Sequence, residues 1–382
     1  MALSEVAALL QALVRCDTTN PPGHETAAAQ MLAAWLGERG VPAEMDEVAP
    51  GRANLIARVR FGEGPRLVLN THMDVVPAGG GWASPPFAGE IVAGRLTGRG
   101  AADAKGSLAA MAAALALLRA RGDRTRGEVI LAAVTDEEGS SAGARHLLRD
   151  LRADAAIVGE PTALNLITCH KGSVRPVVEI RGRAAHAAQP AGGVNALYGA
   201  ARLLLAIEEH AAALTANVHP LVGAPTIVPV MMSGGEALNM VPEHCRITFD
   251  RRLTPDEREE EVLARFADLL ARFQRDHPEL TVTLVELAPS TGGPSQTADD
   301  DPFVVCCRAA LREIGQQPEL GGMQVNCDMS HFRRAGMPTV VYGPGDPRAM
   351  HVVDEAIDLE QLDTATAGYL AMAVCYLDGG AA

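Results

Sequence analysis

At 382 residues the chain exceeds the usual growth limit of one compact core, and with 48% hydrophobic against 21% charged residues it reads as two folded domains with no extended disorder. A formal net charge of -14 argues against nucleic acid or an anionic membrane surface as a partner. No run reaches the roughly 18 apolar residues of a membrane span, and no basic-then-apolar leader opens the chain, so a cytoplasmic protein is expected.

Helical apolar spacing covers Ser4 to Val14 and Glu25 to Arg39, with Asn20-Pro21-Pro22-Gly23 breaking the chain between them. Strand-like runs follow at Asn54 to Val59, Arg66 to Asn70, Val129 to Val134 and Ala155 to Val158. They alternate with an alanine-rich helix, Ser107 to Arg119, and a helix over Ala142 to Asp150. Such alternation predicts an α/β fold with a mixed, largely parallel sheet and helices on both faces. From Val174 the pattern changes to strands Val174 to Ile180, Ala224 to Met232, Cys245 to Arg251 and Leu280 to Leu287, with helices Val194 to His210 and Glu257 to Arg275. The first pattern resumes with helix Pro302 to Ile314 and strand Thr339 to Tyr342. The predicted organisation is a discontinuous domain, 1–173 with 290–382, interrupted by a two-layer α+β domain at 174–289.

The seven cysteines show no Cys-x-x-Cys spacing and mostly lie in apolar runs, which reads as free buried thiols. Of 33 basic residues only Lys105 and Lys171 are lysine, both in glycine-flanked loops. A compact ammonium and a planar guanidinium are not interchangeable, so these two loops are expected to need a point charge.

Groups able to hold a metal recur where strands end, the edge at which open α/β sheets gather their ligands. One strand runs into Thr71-His72-Met73-Asp74, where residues two apart face the same way. His72 can then bind an ion while the Asp74 carboxylate grips its other nitrogen. A second ends in Asp136-Glu137-Glu138, three acids that repel one another unless a cation neutralises them. The others lead to Glu160, and through Gly343-Pro344-Gly345 to His351 and Glu355, while Asp103 lies on a glycine-rich loop before a helix.

Five ordered motifs make the pattern specific: His-x-Asp-Val-Val-Pro (72 to 77), Gly-Arg-Gly-Ala-x-Asp-x-Lys-Gly (98 to 106), Thr-Asp-Glu-Glu-Gly (135 to 139), Gly-Glu-Pro (159 to 161) and His-x-x-Asp-Glu (351 to 355). Over nearly its whole length the chain resembles the acetylornithine deacetylase and succinyl-diaminopimelate desuccinylase family, which includes carboxypeptidase G. The resemblance implies hydrolysis of a small N-acyl-amino acid by a two-zinc centre. Asp103 would bridge, His72 and Glu160 would hold one ion, and Glu138 and His351 the other. Glu137 would be the general base, Asp74 the orienter of His72, and a cis peptide would follow Asp103. The mixed N/O ligand set also suits Co²⁺ or Mn²⁺. By the same resemblance the inserted domain mediates a homodimer in which His186 reaches the partner's site to stabilise an oxyanion. Asn239 and Arg252 would then contact substrate, with a surface ion pair the alternative for Arg252. Lys171 would either recognise an acidic substrate group or brace the domain hinge, Gly345 is a further candidate for substrate contact, and the loop around Gly321 to His331 would line the pocket.

Open alternatives are a dipeptidase or a glutamate-releasing carboxypeptidase, which share the catalytic residues. A non-catalytic amino-acid-binding homologue would be expected to lose Glu137 or a ligand. A metal phosphoesterase is disfavoured by the paired Glu137-Glu138 and by the lack of a phosphate-cradling basic cluster.

Overall fold

The computed structural model describes residues 4–122 and 126–379 and divides into two compact units. One comprises Met1–Cys169, Gln296–Gly322 and Cys327–Ala382, the other His170–Ser295 and Met323–Asn326. The first opens with α1 (Glu5–Arg15), α2 (Glu25–Gly37), β1 (Ala43–Ala49), β2 (Arg52–Arg60), β3 (Arg66–His72), β4 (Glu90–Val92) and β5 (Arg95–Thr97). It continues with α3 (Lys105–Ala120), β6 (Glu128–Val134), α4 (Ala142–Leu147), β7 (Ala155–Val158) and β8 (Leu166–His170). The second holds β9 (Gly172–Arg181), β10 (Ala185–His186), α5 (Ala196–Leu214), β11 (Thr226–Gly234), β12 (Met240–Val241), β13 (His244–Leu253), α6 (Glu259–Asp276) and β14 (Thr281–Ala288). The chain then adds β15 (Ser295–Gln296), α7 (Pro302–Glu313), β16 (Leu320–Met323), α8 (Met329–Arg334), β17 (Thr339–Val341), β18 (Ala356–Asp358) and α9 (Leu359–Leu377).

The main sheet runs β1-β2-β6-β3-β7-β17-β8-β15, and its central β6, β3, β7 and β17 are mutually parallel. β2 pairs antiparallel with β6 and β8 with β17, so the sheet is mixed but parallel at its centre. Both faces of these strands are covered, and their sequences read as near-continuous apolar runs. Leu67, Leu69, Leu131 and Ala133 enter the core shared with α1, α3 and α9. Helix α4 lies against β1 and β2, and α8 against β7 and β17. Most of α3 is buried, and its alanines let α9 and the sheet pack closely against it. Among the strands that escaped the sequence reading are β1, β4, β5 and β8. β1 is a half-exposed edge strand carrying Glu44, Asp46 and Glu47, while β4 and β5 have three residues each, too few to show a period.

The second unit is a four-stranded antiparallel sheet, β11-β13-β9-β14. Its core joins Ile180, Ile247 and Phe249 to Ala200 and Leu203 of α5 and to Phe266 and Leu270 of α6. β11 is an edge strand on which Val228, Val230, Met231 and Met232 are exposed, next to Tyr198 and Leu205 exposed on α5. Among the described residues no helix is long and apolar enough to cross a membrane.

Candidate metal centre

Because β6, β3, β7 and β17 are parallel neighbours, their carboxyl ends open on one edge of the sheet. His72 is the last residue of β3, which runs two positions past the Asn70 at which the sequence reading ended the strand, and it lies on the same strand face as Asn70. Its Nε2 is 3.3 Å from Asp103 Oδ1 and 3.8 Å from Glu160 Oε2. On the other side His351 Nε2 is 3.2 Å from Asp103 Oδ2 and 3.0 Å from Glu138 Oε1. Two triads therefore form, His72–Asp103–Glu160 and Asp103–Glu138–His351, each with its ligand atoms within 4.8 Å of one another. Asp103 belongs to both and turns one oxygen to each histidine. The Asp103–Ala104 peptide is cis.

The electrostatics of this cluster call for added positive charge. Burial pushes Glu160 up to about 7 against the pull of His72, and burial also drives Glu137 well above the carboxylate range. Burial opposes charge on Asp103 as well, but its hydrogen bonds to His351 and His72 hold it well below the usual range. Hydrogen bonds to Asp103 and Glu138 push His351 up to about 10. Buried carboxylates that resist ionisation and histidines recruited as substitute cations fit a site built for divalent ions, and imidazole with carboxylate is a donor set that zinc accepts.

Asp74 faces the imidazole from the side away from the triads, its Oδ1 3.6 Å from His72 Nδ1. His72 Nδ1 donates to the main-chain carbonyl of Asp74 at 2.9 Å, which leaves the Nε2 lone pair for a metal. The Asp74 carboxylate also accepts from the amides of Glu137 (3.1 Å) and Glu138 (3.2 Å) and from Asn20 Nδ2 (2.8 Å). It thus ties the end of β3 to the turn after β6. That turn is braced further: Asp136, at φ 62°, accepts from Asn20 Nδ2 and from Arg52 Nη1, and Arg52 also pairs with the fully buried Glu25. Sequence reasoning treated Asn20 only as part of a breaker and did not single out Arg52. Asn20 reaches the site because Thr19 bridges Val75, just past the end of β3. Asp328, buried at the start of α8, is held by Asn70 at 3.0 Å and adds to the upward shift of Glu137.

Lys105 is wholly buried as the first residue of α3, with Nζ donating to the Cys16 carbonyl at 2.8 Å and Asp17, Glu355 and Asp74 in its field. Gly345 has φ 96°, and a Cβ there would come within 3.0 Å of Ala102, so only glycine fits beside the Asp103 loop. Its N–H is engaged by Gln361 Oε1.

The remaining residues singled out from sequence belong to the second unit. His186 of β10 is exposed and pairs across the ladder with Met240 of β12, and Ala187 N donates to the Asn239 carbonyl, so His186 and Asn239 are brought together. Arg252 is not free to receive a carboxylate with its whole fork. Its Nε and Nη2 embrace Asp250, and Nη1 donates to Asn326. Lys171 Nζ donates to the Ala224 carbonyl at 2.6 Å, a bracing contact within its own unit.

Over 348 residues the chain is 31% identical to an acetylornithine deacetylase of Vibrio cholerae, covering 89% of each chain. It is 32% identical over 391 residues to a succinyl-diaminopimelate desuccinylase of Methylobacterium radiotolerans, covering 97% of this chain and 96% of that one. The fold matches a dinuclear metal-binding peptidase of the M20 family from Bacillus subtilis with a TM-score of 0.73 at 16% identity, covering 97% and 98%. Residues 68–374 match the model of peptidase family M20/M25/M40, and with the site just described inside that span, the chain belongs to this family.

Proposed function

We propose that this chain is a metal-dependent amide hydrolase that removes the acyl group from a small N-acyl-amino acid, in the manner of an acetylornithine deacetylase or a succinyl-diaminopimelate desuccinylase. The supporting observation is the pair of triads sharing Asp103, with one oxygen toward each histidine. His72 and Glu160 would hold one divalent ion and Glu138 and His351 the other, with Asp103 common to both sets. Zinc is the favoured ion, with cobalt or manganese as substitutes. The chemistry such a pair supplies is polarisation of the scissile carbonyl and acidification of water toward neutral pH.

Glu137 belongs to neither triad, is buried beside them, and has its backbone held by Asp74. Its carboxylate takes the proton of the attacking water and hands it to the leaving amine. His186, exposed in the second unit, donates to the oxyanion in a partner subunit's site, a contribution of about 2.7–4 kcal/mol per donor. The exposed apolar edge strand β11 and the flank of α5 support a homodimer, because such an edge invites pairing with a second copy. Arg252, Asn239, Lys171 and Gly345 contribute to substrate contact or its support, Arg252 through the N–H groups that Asp250 and Asn326 leave over. A cytoplasmic location is part of this reading.

The test is a panel of N-acetyl-amino acids, N-succinyl-amino acids and dipeptides assayed with added Zn²⁺ or Co²⁺. Turnover of acylated amino acids above dipeptides supports the reading. Turnover of dipeptides alone replaces it with a peptidase. In Glu137→Ala, metal content should match wild type while turnover falls by about 10²–10⁴-fold. Comparable turnover in that variant removes Glu137 from the role of base.

A further inference from the structure

Asp103 is shared by both triads, and the loop carrying it is shaped around one side chain, Glu355. That carboxylate is 1% exposed. Its Oε2 accepts from Arg99 Nη1 at 2.7 Å and Gly100 N at 3.1 Å, and its Oε1 accepts from Ala102 N at 2.8 Å and Asp103 N at 3.0 Å. The Glu355 carbonyl accepts from Gly98 N at 2.8 Å as well. A carboxylate offers about four acceptor sites, so this one is saturated by a single loop. Three backbone amides converging on it form the kind of concave nest that elsewhere binds free anions.

Glu355 also belongs to the loop of His351. The ladder between β18 and β5 pairs Ala356 with Thr97 and so delivers Glu355 to the residues that follow β5. Between the two, His351 (φ 61°) and Asp354 (φ 55°) hold left-handed backbone conformations that non-glycine residues adopt only when their surroundings impose them. Asp354 Oδ1 accepts from Ala83 N at 2.9 Å. Five residues thus turn an imidazole toward Asp103 and Glu138 at one end and a carboxylate into the Asp103 loop at the other.

We propose that Glu355 is a positioning residue of the metal centre, which clamps the Asp103 loop to the His351 loop so that both ligands are set in place before an ion arrives. This rests on the two-ion reading above. The ion held by Glu138 and His351 depends on two ligands fixed by the clamp, Asp103 and His351, and the other ion on Asp103 alone. Loss of the clamp therefore weakens the former more.

The test is Co²⁺ titration of the metal-stripped protein followed by visible absorption, for wild type, Glu355→Gln and Arg99→Met, with thermal unfolding of each metal-free protein alongside. In Glu355→Gln an amide N–H₂ replaces an oxygen that faces N–H donors. The weaker Co²⁺ affinity should fall by about 10–100-fold, the range for groups that orient metal ligands, and raising Co²⁺ should restore the absorption band. Arg99→Met removes one donor of four and should show a smaller loss in the same direction. Two ions bound with wild-type affinity by Glu355→Gln overturn the proposal. Should that variant fail to fold, wild-type affinity in Arg99→Met overturns it and weakened affinity sustains it. Wild type binding fewer than two Co²⁺ would instead refute the two-ion reading, and the clamp with it.

Discussion

Arg52 satisfies two carboxylates at once, Glu25 and Asp136, and Asn20 then links Asp136 to Asp74, which carries the amides of Glu137 and Glu138. A string of charge-assisted bonds thus runs from α2 to the turn bearing the general base assigned above. Glu25 has no exposure, so Arg52→Met should leave an uncompensated charge and cost about 3–5 kcal/mol in urea unfolding. Unchanged stability would show that the pair contributes nothing. None of this was legible in the sequence, because the partners are 27 to 116 positions apart and no local pattern links them. His72, Glu138 and Glu160 were legible for the opposite reason: each closely follows an apolar run, and a strand end is encoded locally, whereas Asp103 and His351 were legible only through the ordered motifs. The orientation of Asp74 shows the limit of such reasoning, since period two located its side chain but not the amides that occupy it.

At the scale of elements, the triads depend on how closely the strand ends approach α3. A Cβ on Gly343 would lie 2.3 Å from Ser107 Oγ and 2.5 Å from the Glu160 carbonyl, and one on Gly159 would lie 2.7 Å from Ser107 Cβ. Gly343→Ala must therefore push β17 away from α3 and displace the backbone of Glu160. An overpacking cost of about 1–3 kcal/mol is expected, with a loss of bound metal that Gly→Ala at the solvent-facing Gly37 does not cause. Isothermal titration with Zn²⁺ measures the difference, and equal affinities would show that the strand ends tolerate the shift. The central parallel strands were readable because burial on both faces makes them uniformly apolar. β1 was not, because a half-exposed edge strand carrying three acids has no hydropathy contrast.

For the whole molecule, the proposed assembly carries the prediction. Val230 is 51% exposed on the edge strand β11, and Val230→Lys leaves the core of its own unit intact. It should convert a homodimer to monomers in sedimentation without changing the circular dichroism, and should depress turnover in parallel. A fully active monomer would remove the partner from catalysis. Mixing His186→Ala with Glu137→Ala protomers should recover activity in the mixed dimers if His186 acts across the interface, and no recovery would confine each site to one chain. The inserted α+β segment was evident from sequence as a change of periodicity, whereas the contribution of residues 323–326 to that unit was not, since four residues carry no period.

The proposed ligands run from His72 to His351, across the entire insertion. During synthesis, at about 5–20 residues per second, the second unit has nearly all of its chain by residue 295 and can close its own core while β17 and α9 are still untranslated. The central sheet must wait, its β7 edge uncovered, until Thr339–Val341 emerges to pair with it. A nascent chain stalled between these points would carry a folded second unit beside an unfinished sheet, and would be unable to retain metal through both triads.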